Sequence, residues 1–471
     1  MQKNKKFLLI LWIMIAFFAV AYSVLAIIHH IHFLSGGFDL GIFDQSLWQY
    51  AHFLFPYNTV KGKMILGDHL NLTFPLVAPL FWLWDDVKML LIFQAVWISL
   101  SGFPMYHYIV KRGLGNIHAL ILTFLYLLFY GMQYINYFDF HTVALGVGLL
   151  AWVLYFWEEE KWKWFGVTTL LLLLTQENMG LALFALCLLW IFQKKKIKLV
   201  VILAAISLIY TVIAFYVIHL LSQGHLQYVP HFPKTIPDVI AQLFDTQDKR
   251  DVWFFSFGWF SFLPIFSPGA FIAVLSDLSQ YFITGKDYDH MWTPYFHHRA
   301  ILSVYLVVGA VDVLLFLKKR INILFITIPM LLFALFLQFH YHFALNKLVK
   351  HEYFAKESWM DDNETMFKHI PATASVATQQ SLVPHLTHRN AIYLVYPRKH
   401  PYWWLDFDGK PTLLVVDTHE NEWLTMTLES IDNFRQALTN MQQAGVIHLI
   451  YQKGQSKIYT INYQALEQYL P

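Results

Sequence analysis

Long apolar runs alternate with short polar stretches from the start of this chain to about residue 343, and their spacing predicts a polytopic α-helical membrane protein. Residues 7–29 are apolar over the length a bilayer requires, and Lys3, Lys5 and Lys6 ahead of them place their start in the cytoplasm by the positive-inside rule. The run is too long for a signal-peptide core and lacks a small-residue cleavage site, so it is expected to stay as an anchor. The next long run, residues 87–110, closes on Lys111-Arg112, which also belongs in the cytoplasm. Residues 30–86 therefore form one large external loop. Inside it, residues 72–84 are apolar but too short to span and are broken by Pro75 and Pro79, the pattern of an interfacial or re-entrant element.

Residues 117–137 then run outward, 142–157 inward, 199–221 outward, 300–317 inward and 321–343 outward. Two further apolar stretches are interrupted. Residues 164–192 begin and end beside basic segments yet are broken at Thr175-Gln176-Glu177-Asn178, and residues 253–283 are broken at Ser267-Pro268-Gly269. Each predicts a hairpin of helices, the first with arms too short for full spans. Counting such broken or re-entrant hairpins, the pattern predicts about eleven membrane helices.

From Lys347 the pattern changes to that of a soluble domain. Extended segments are expected at 374–378, 391–396 and 412–416, a helix at 431–444, and a hairpin of 446–452 with 457–462 around Gly454. The predicted organisation is a transmembrane domain over residues 1–346, with its large first external loop, and a small extracytoplasmic α/β domain over residues 347–471.

Composition agrees with the pattern. Of 471 residues 57% are hydrophobic and 14% charged, far from the balance of a soluble protein. The net charge of +2 is spread in short clusters between apolar runs, which argues against nucleic acid as a partner. The single cysteine, Cys187, excludes an intramolecular disulfide and any cysteine-built metal site.

Candidate chemistry concentrates in the external segments. Gly36-Gly37-Phe38-Asp39-Leu40-Gly41-Ile42-Phe43-Asp44-Gln45 sets two carboxylates and an amide at the membrane surface, where charge is costly unless solvated, paired or used. Asp39 is the leading functional carboxylate, Asp44 the alternative, and Gln45 a substrate contact. From Leu40 the apolar positions recur at helical spacing, with Asp44, Trp48 and His52 on another face, which predicts an amphipathic helix lying on the bilayer. The bland alternative makes Asp39 its N-cap. His69, in Gly67-Asp68-His69, and His141, after Asp139, bring imidazoles to the same outer face, either as contacts or as solvated side chains. Glu177 sits at the helix break, where an intramembrane acid is by default a functional candidate. Arg299 suits an anion at the mouth of a span, or an interfacial anchor. Asp39, His69 and His141 could also hold a divalent metal, although the spacing contains no local ligand motif.

Phe38 to Gln45, Gly67-Asp68-His69, Phe140-His141, Gln176-Glu177, and Leu382-Val383-Pro384-His385-Leu386 with Arg389 and Tyr393 together resemble a family of predicted bacterial membrane proteins, domain of unknown function 2079, over nearly the whole chain. More distantly, the layout is similar to integral-membrane glycosyltransferases of the GT-C type, which use a polyprenyl-phosphate-linked sugar and carry an essential acid early in the first external loop. Residue by residue that likeness reaches Asp39, with Asp44 as the other match, and the adjacent acidic pair usual in those enzymes is absent because Leu40 follows Asp39. The resemblance implies transfer of a sugar to an extracytoplasmic acceptor with Asp39 as general base; shared external placement makes His69, His141 and Arg299 candidates to hold the lipid phosphate, with Glu177 to orient one of them or the acceptor, and no cofactor is expected. Two other classes fit the pattern: a lipid or amphiphile transporter or flippase with a site at mid-membrane, and a cell-envelope scaffold anchored by its spans.

Overall fold

The computed structural model describes residues 2–224, 230–396, 404–420 and 430–469. The chain divides into two compact units: Met1–Ala26, Leu66–Thr73 and Ile92–Lys350 make the first, and Ile27–Ile65, Phe74–Leu91 and His351–Pro471 the second.

The first unit is helical, and helix Ile197–Leu221 shows why its apolar runs form helices. Val200, Leu203, Ala204, Ser207, Thr211, Ala214 and Ile218 make a buried stripe at three- and four-residue spacing. Ile202, Ile206, Ile209, Val212, Ile213 and Tyr216 are exposed, an outer face suited to hydrocarbon. The buried stripe is rich in small and hydroxylated residues because helices in lipid gain from close backbone approach more than from burying leucine.

Among the described residues four helices are long and apolar enough to cross a membrane: Lys5–Ile31, Lys88–Lys111, Ile197–Leu221 and His297–Leu317. Asn116–Leu128 and Tyr130–Tyr137, bent by 41°, add a fifth if taken as one span. Among the described residues this is a membrane protein with four to five full-length apolar spans, while the expected count of about eleven also takes in broken and re-entrant helices. Thr142–Glu158, Trp162–Thr175, Met179–Phe192 and Leu324–His340 are apolar helices of 10–17 residues. The run through Glu177 is cut where Gln176 takes an extended conformation, φ −164° and ψ 154°.

The basic segments meet at one end of this unit. Arg112 Nη2 lies 2.8 Å from Asp312 Oδ1, Lys195 Nζ 2.5 Å from Glu158 Oε2, Lys196 Nζ 3.0 Å from Glu160 Oε1 and Lys111 Nζ 3.4 Å from Glu159 Oε1. Helix Thr142–Glu158 leads from His141 to that end. At 1.5 Å per residue it separates the two by about 25 Å.

The second unit is built on a sheet. Strands β1 (Tyr57–Asn58) and β2 (Lys63–Met64) form a minimal ladder. Five more strands, β3 (Val376–Thr378), β4 (Ile392–Leu394), β5 (Leu413–Asp417), β6 (Ile447–Lys453) and β7 (Ser456–Ile461), pair in the order β4-β3-β5-β7-β6. β3 is parallel to both its neighbours, and β7 is antiparallel to β5 and β6. Each of the predicted segments after Lys347 has its counterpart here, including helix Ile431–Gln443. In β5, Leu413 and Val415 face one cluster with Trp359 and Met366, while Leu414 and Val416 face another with Phe434 and Met441. The sheet is thus covered on both faces, as the run Leu413-Leu414-Val415-Val416 requires.

Phe33 is buried in the first of these clusters. Gly37 to Gly41 makes a π-helical turn, followed by helix Ile42–Ala51. A Cβ on Gly41 would lie 2.6 Å from Val383 Cγ1, and one on Gly37 would lie 2.9 Å from Val383 Cβ. Both positions are glycine because the Val383–His385 turn lies directly against this backbone, and Gly37 N–H donates to Gln380 O at 2.9 Å. The two stretches that sequence singled out at opposite ends of the chain are one packed motif.

Candidate functional site

In the first unit the break between Trp162–Thr175 and Met179–Phe192 turns the Glu177 side chain inward, 6% exposed. Its Oε1 lies 2.8 Å from His69 Nδ1, and its Oε2 accepts the Leu70 N–H at 3.1 Å. A buried carboxylate is tolerable only when paired and bonded in this way. The His69 side chain stays 32% exposed, so the pair presents an imidazole whose orientation Glu177 fixes. Neighbouring Gln176 accepts a hydrogen bond from Thr142 Oγ1 at 2.9 Å.

His141 ends the turn ahead of helix Thr142–Glu158. Asp139 sits at φ 132°, a region that few non-glycine residues adopt. Gln94 braces the turn: its Nε2 donates to Ile135 O at 2.7 Å and Asp139 O at 2.8 Å, and its Oε1 accepts the His141 N–H at 2.8 Å. The His141 ring stacks on His297 with centroids 3.7 Å apart. His69 and His141 both act electrostatically on His297, so these imidazoles share one neighbourhood.

Arg299 belongs to it too: it lies in the first turn of span His297–Leu317, at the mouth as sequence suggested, but is buried, 0% exposed. The cause is close packing: a Cβ on Gly131 would lie 2.5 Å from the Arg299 carbonyl carbon, so helix Tyr130–Tyr137 draws this backbone in. The guanidinium donates to Met291 O and to Thr293 O, the latter at 3.4 Å, and stands over the rings of Tyr281 and Phe282. Its Nη1 is buried with no hydrogen-bond partner among the described residues. Buried Asp277, which acts on it electrostatically, is a residue that sequence reasoning missed. An acid inside the apolar run of residues 270–283 was the available signal.

The second unit holds the other candidates. Asp39 lies within the π-helical turn, half-buried, and is not an N-cap. Asp44 is fully buried, so helix Ile42–Ala51 is not a surface helix with a solvated acidic face. One Asp44 oxygen accepts the Thr387 hydroxyl, and the other lies 3.2 Å from His388 Nε2. His388 Nδ1 lies 2.8 Å from Asp85 Oδ1, and its ring meets Phe81 edge-on at 4.9 Å. Burial opposes a charge on this imidazole, but the Asp44 carboxylate outweighs it, with help from Asp85 and Asp86, and the His388 pKa is raised above 6.5. Gln45 is buried with its amide bridging Thr59, Nε2 to Oγ1 at 2.8 Å and Oε1 from N–H at 3.0 Å. His385 is buried between His30 and Phe33, with ring centroids at 4.1 and 4.3 Å, and burial holds it neutral. Arg389 clamps carbonyls, Nε to Leu386 O at 2.6 Å and Nη1 to Ala374 O at 2.8 Å. Sequence reasoning missed His388, Thr387 and Asp85.

Among the described residues no group of three or more His, Cys, Asp or Glu side chains is arranged to hold a metal ion.

The fold is similar to that of ArnT from Cupriavidus metallidurans, solved both bound to undecaprenyl phosphate and in the apo state. In each comparison the TM-score is 0.57 at 11% identity, with 96% of this chain and 98% of the other covered. At this identity the likeness is one of fold. No curated protein matches the sequence. Residues 29–437 match the family described as predicted membrane protein (DUF2079), and the chain belongs to that family.

Proposed function

We propose that this protein is a membrane glycosyltransferase of the GT-C type, which transfers a sugar from a polyprenyl-phosphate-linked donor to an extracytoplasmic acceptor. The observation that carries the proposal is the fold, shared over 96% of the chain with a protein crystallised on undecaprenyl phosphate. The imidazoles of His69, His141 and His297 and the guanidinium of Arg299 support it, since a departing phosphate needs such donors. In this scheme the N-terminus is cytoplasmic and the sheet-bearing C-terminal segment extracytoplasmic.

The acceptor oxygen bonds to the anomeric carbon while the bond from that carbon to the phosphate oxygen breaks. The acceptor proton passes to Asp39, and the electron pair leaves with the polyprenyl phosphate. Asp39 suits the base better than Asp44 because it is only half-buried, whereas Asp44 is fully buried against Thr387 and His388. His69, His141 and Arg299 stabilise the phosphate, and Glu177 holds His69 in place across 2.8 Å.

The test follows release of polyprenyl phosphate from polyprenyl-phosphate sugars by the purified full-length chain. Asp39→Asn is expected to lower release by about 10²–10⁴-fold, the usual contribution of a general base, with its thermal unfolding unchanged. Normal release by a folded Asp39→Asn protein removes Asp39 from the mechanism. No release by the unaltered chain from any such donor overturns the proposal.

A further inference from the structure

At the end of the first unit that carries the basic segments, a cavity of about 730 Å³ opens between the ends of helices Met179–Phe192 and Leu302–Leu317 and the start of helix Pro268–Phe282. Ligand sites commonly enclose about 300–1,000 Å³. Phe192, Phe266 and Phe316 line it and are 48%, 74% and 57% exposed. Arg112, Lys195 and Asp312 line it as well.

These charges are balanced and held in place. Arg112 pairs with Asp312 at 2.8 Å and donates to Tyr108 Oη at 2.6 Å, while Lys195 pairs with Glu158 at 2.5 Å. Asp312 also accepts from Gln193, 3.1 Å to each oxygen, and from Ser267 at 3.2 Å. A guanidinium has five N–H donors and an ammonium three, more than these contacts use. The Asp312 side chain remains 20% exposed. The lining therefore presents cationic donors and a carboxylate side by side, with no net charge between the two pairs, next to an apolar wall open to the surroundings.

We propose that this cavity binds a phospholipid with a zwitterionic, primary-amine headgroup. Its phosphate takes donors from Arg112 and Lys195, its ammonium takes the place of Gln193 on Asp312, and its acyl chains lie along Phe192, Phe266 and Phe316. A purely anionic headgroup brings an uncompensated charge to a lining whose own charges already balance, and a trimethylated amine has no N–H to give Asp312. The site is separate from the Glu177 cluster and does not depend on sugar transfer.

The test is native mass spectrometry of the full-length chain in detergent with phosphatidylethanolamine, phosphatidylglycerol or phosphatidylcholine at equal concentration. A phosphatidylethanolamine adduct at least tenfold more populated than either other lipid is expected. Leu317→Trp, which fills the cavity without touching the ion pairs, should abolish it, and Asp312→Asn should erase the preference over phosphatidylcholine. If Asp312→Asn does not fold, Phe266→Glu at the exposed mouth replaces it, with loss of the adduct expected. Equal retention of the three lipids, or an adduct unaffected by Leu317→Trp, overturns the proposal. So does full displacement by equimolar glycerophosphoethanolamine, which would make the ligand a free headgroup.

Discussion

Replacing His388 by alanine should loosen one part of the second unit far more than the rest. The imidazole lies between buried Asp44, at 3.2 Å, and Asp85, at 2.8 Å, with its own side chain 21% exposed and that of Asp85 53% exposed. Removing one partner of a buried pair costs about 3–5 kcal/mol, because the other charge is left without its counterion. Here Asp44 keeps the Thr387 hydroxyl, and the half-exposed Asp85 pair adds less than about 1 kcal/mol, so the low end, about 3 kcal/mol, applies. At 1.36 kcal/mol per tenfold change, local opening should become about a hundredfold more frequent. Hydrogen exchange of the amides in Ile42–Ala51, corrected for intrinsic rates, reads this directly. The sign with pH follows from the raised pKa: His388 contributes fully below 6.5 and loses its contribution as pH rises through its higher folded value. Protection should therefore fall across that window in the parent chain and not in His388→Ala. Unchanged exchange in the variant, or protection that grows with pH in the parent, would refute the reasoning.

Two further outcomes test the packing and the polar cluster. Glu177→Gln removes the charge and leaves one oxygen for both the His69 ring and the Leu70 N–H, and should lower polyprenyl phosphate release by about a hundredfold through misplacement of His69, with helix content by circular dichroism unchanged; an unaltered rate would free Glu177 from any role. Gly41→Leu forces side-chain atoms into Val383 and should cost about 1–3 kcal/mol in thermal unfolding. Val383→Ala in the same chain should restore part of that loss, and the absence of any rescue would mean that the contact is not the cause.

What the sequence made legible was whatever has a local period. The strands from Val376 to Ile461 and helix Ile431–Gln443 follow from alternation and helical spacing. The Glu177 hairpin follows from basic residues at both ends of one interrupted apolar run. Illegible were contacts that no period records. His388 and Asp44 are 344 residues apart, and neither flank announces the other. Helical spacing put Asp44 on a polar face but could not say that the face would be covered by Thr387 and His388. The position of Arg299 at the start of an apolar run was legible, but its burial was not, because that comes from the approach of Gly131.

The pairing of Gly37 and Gly41 with Val383 also sets a timetable for synthesis. A ribosome adding about 5–20 residues per second needs roughly fifteen seconds to a minute to make the more than three hundred residues that separate the two stretches. Throughout that interval helix Ile42–Ala51 carries a carboxylate meant for burial and has neither Thr387 nor His388 to bury it against. The second unit cannot close until the strands that follow Lys350 have emerged, so its completion waits on residues far from the motif they cover. A chain stopped at Lys350 would keep the helices of the first unit and leave the motif around Asp39 without the turn that shapes it, a natural mark for quality-control proteases.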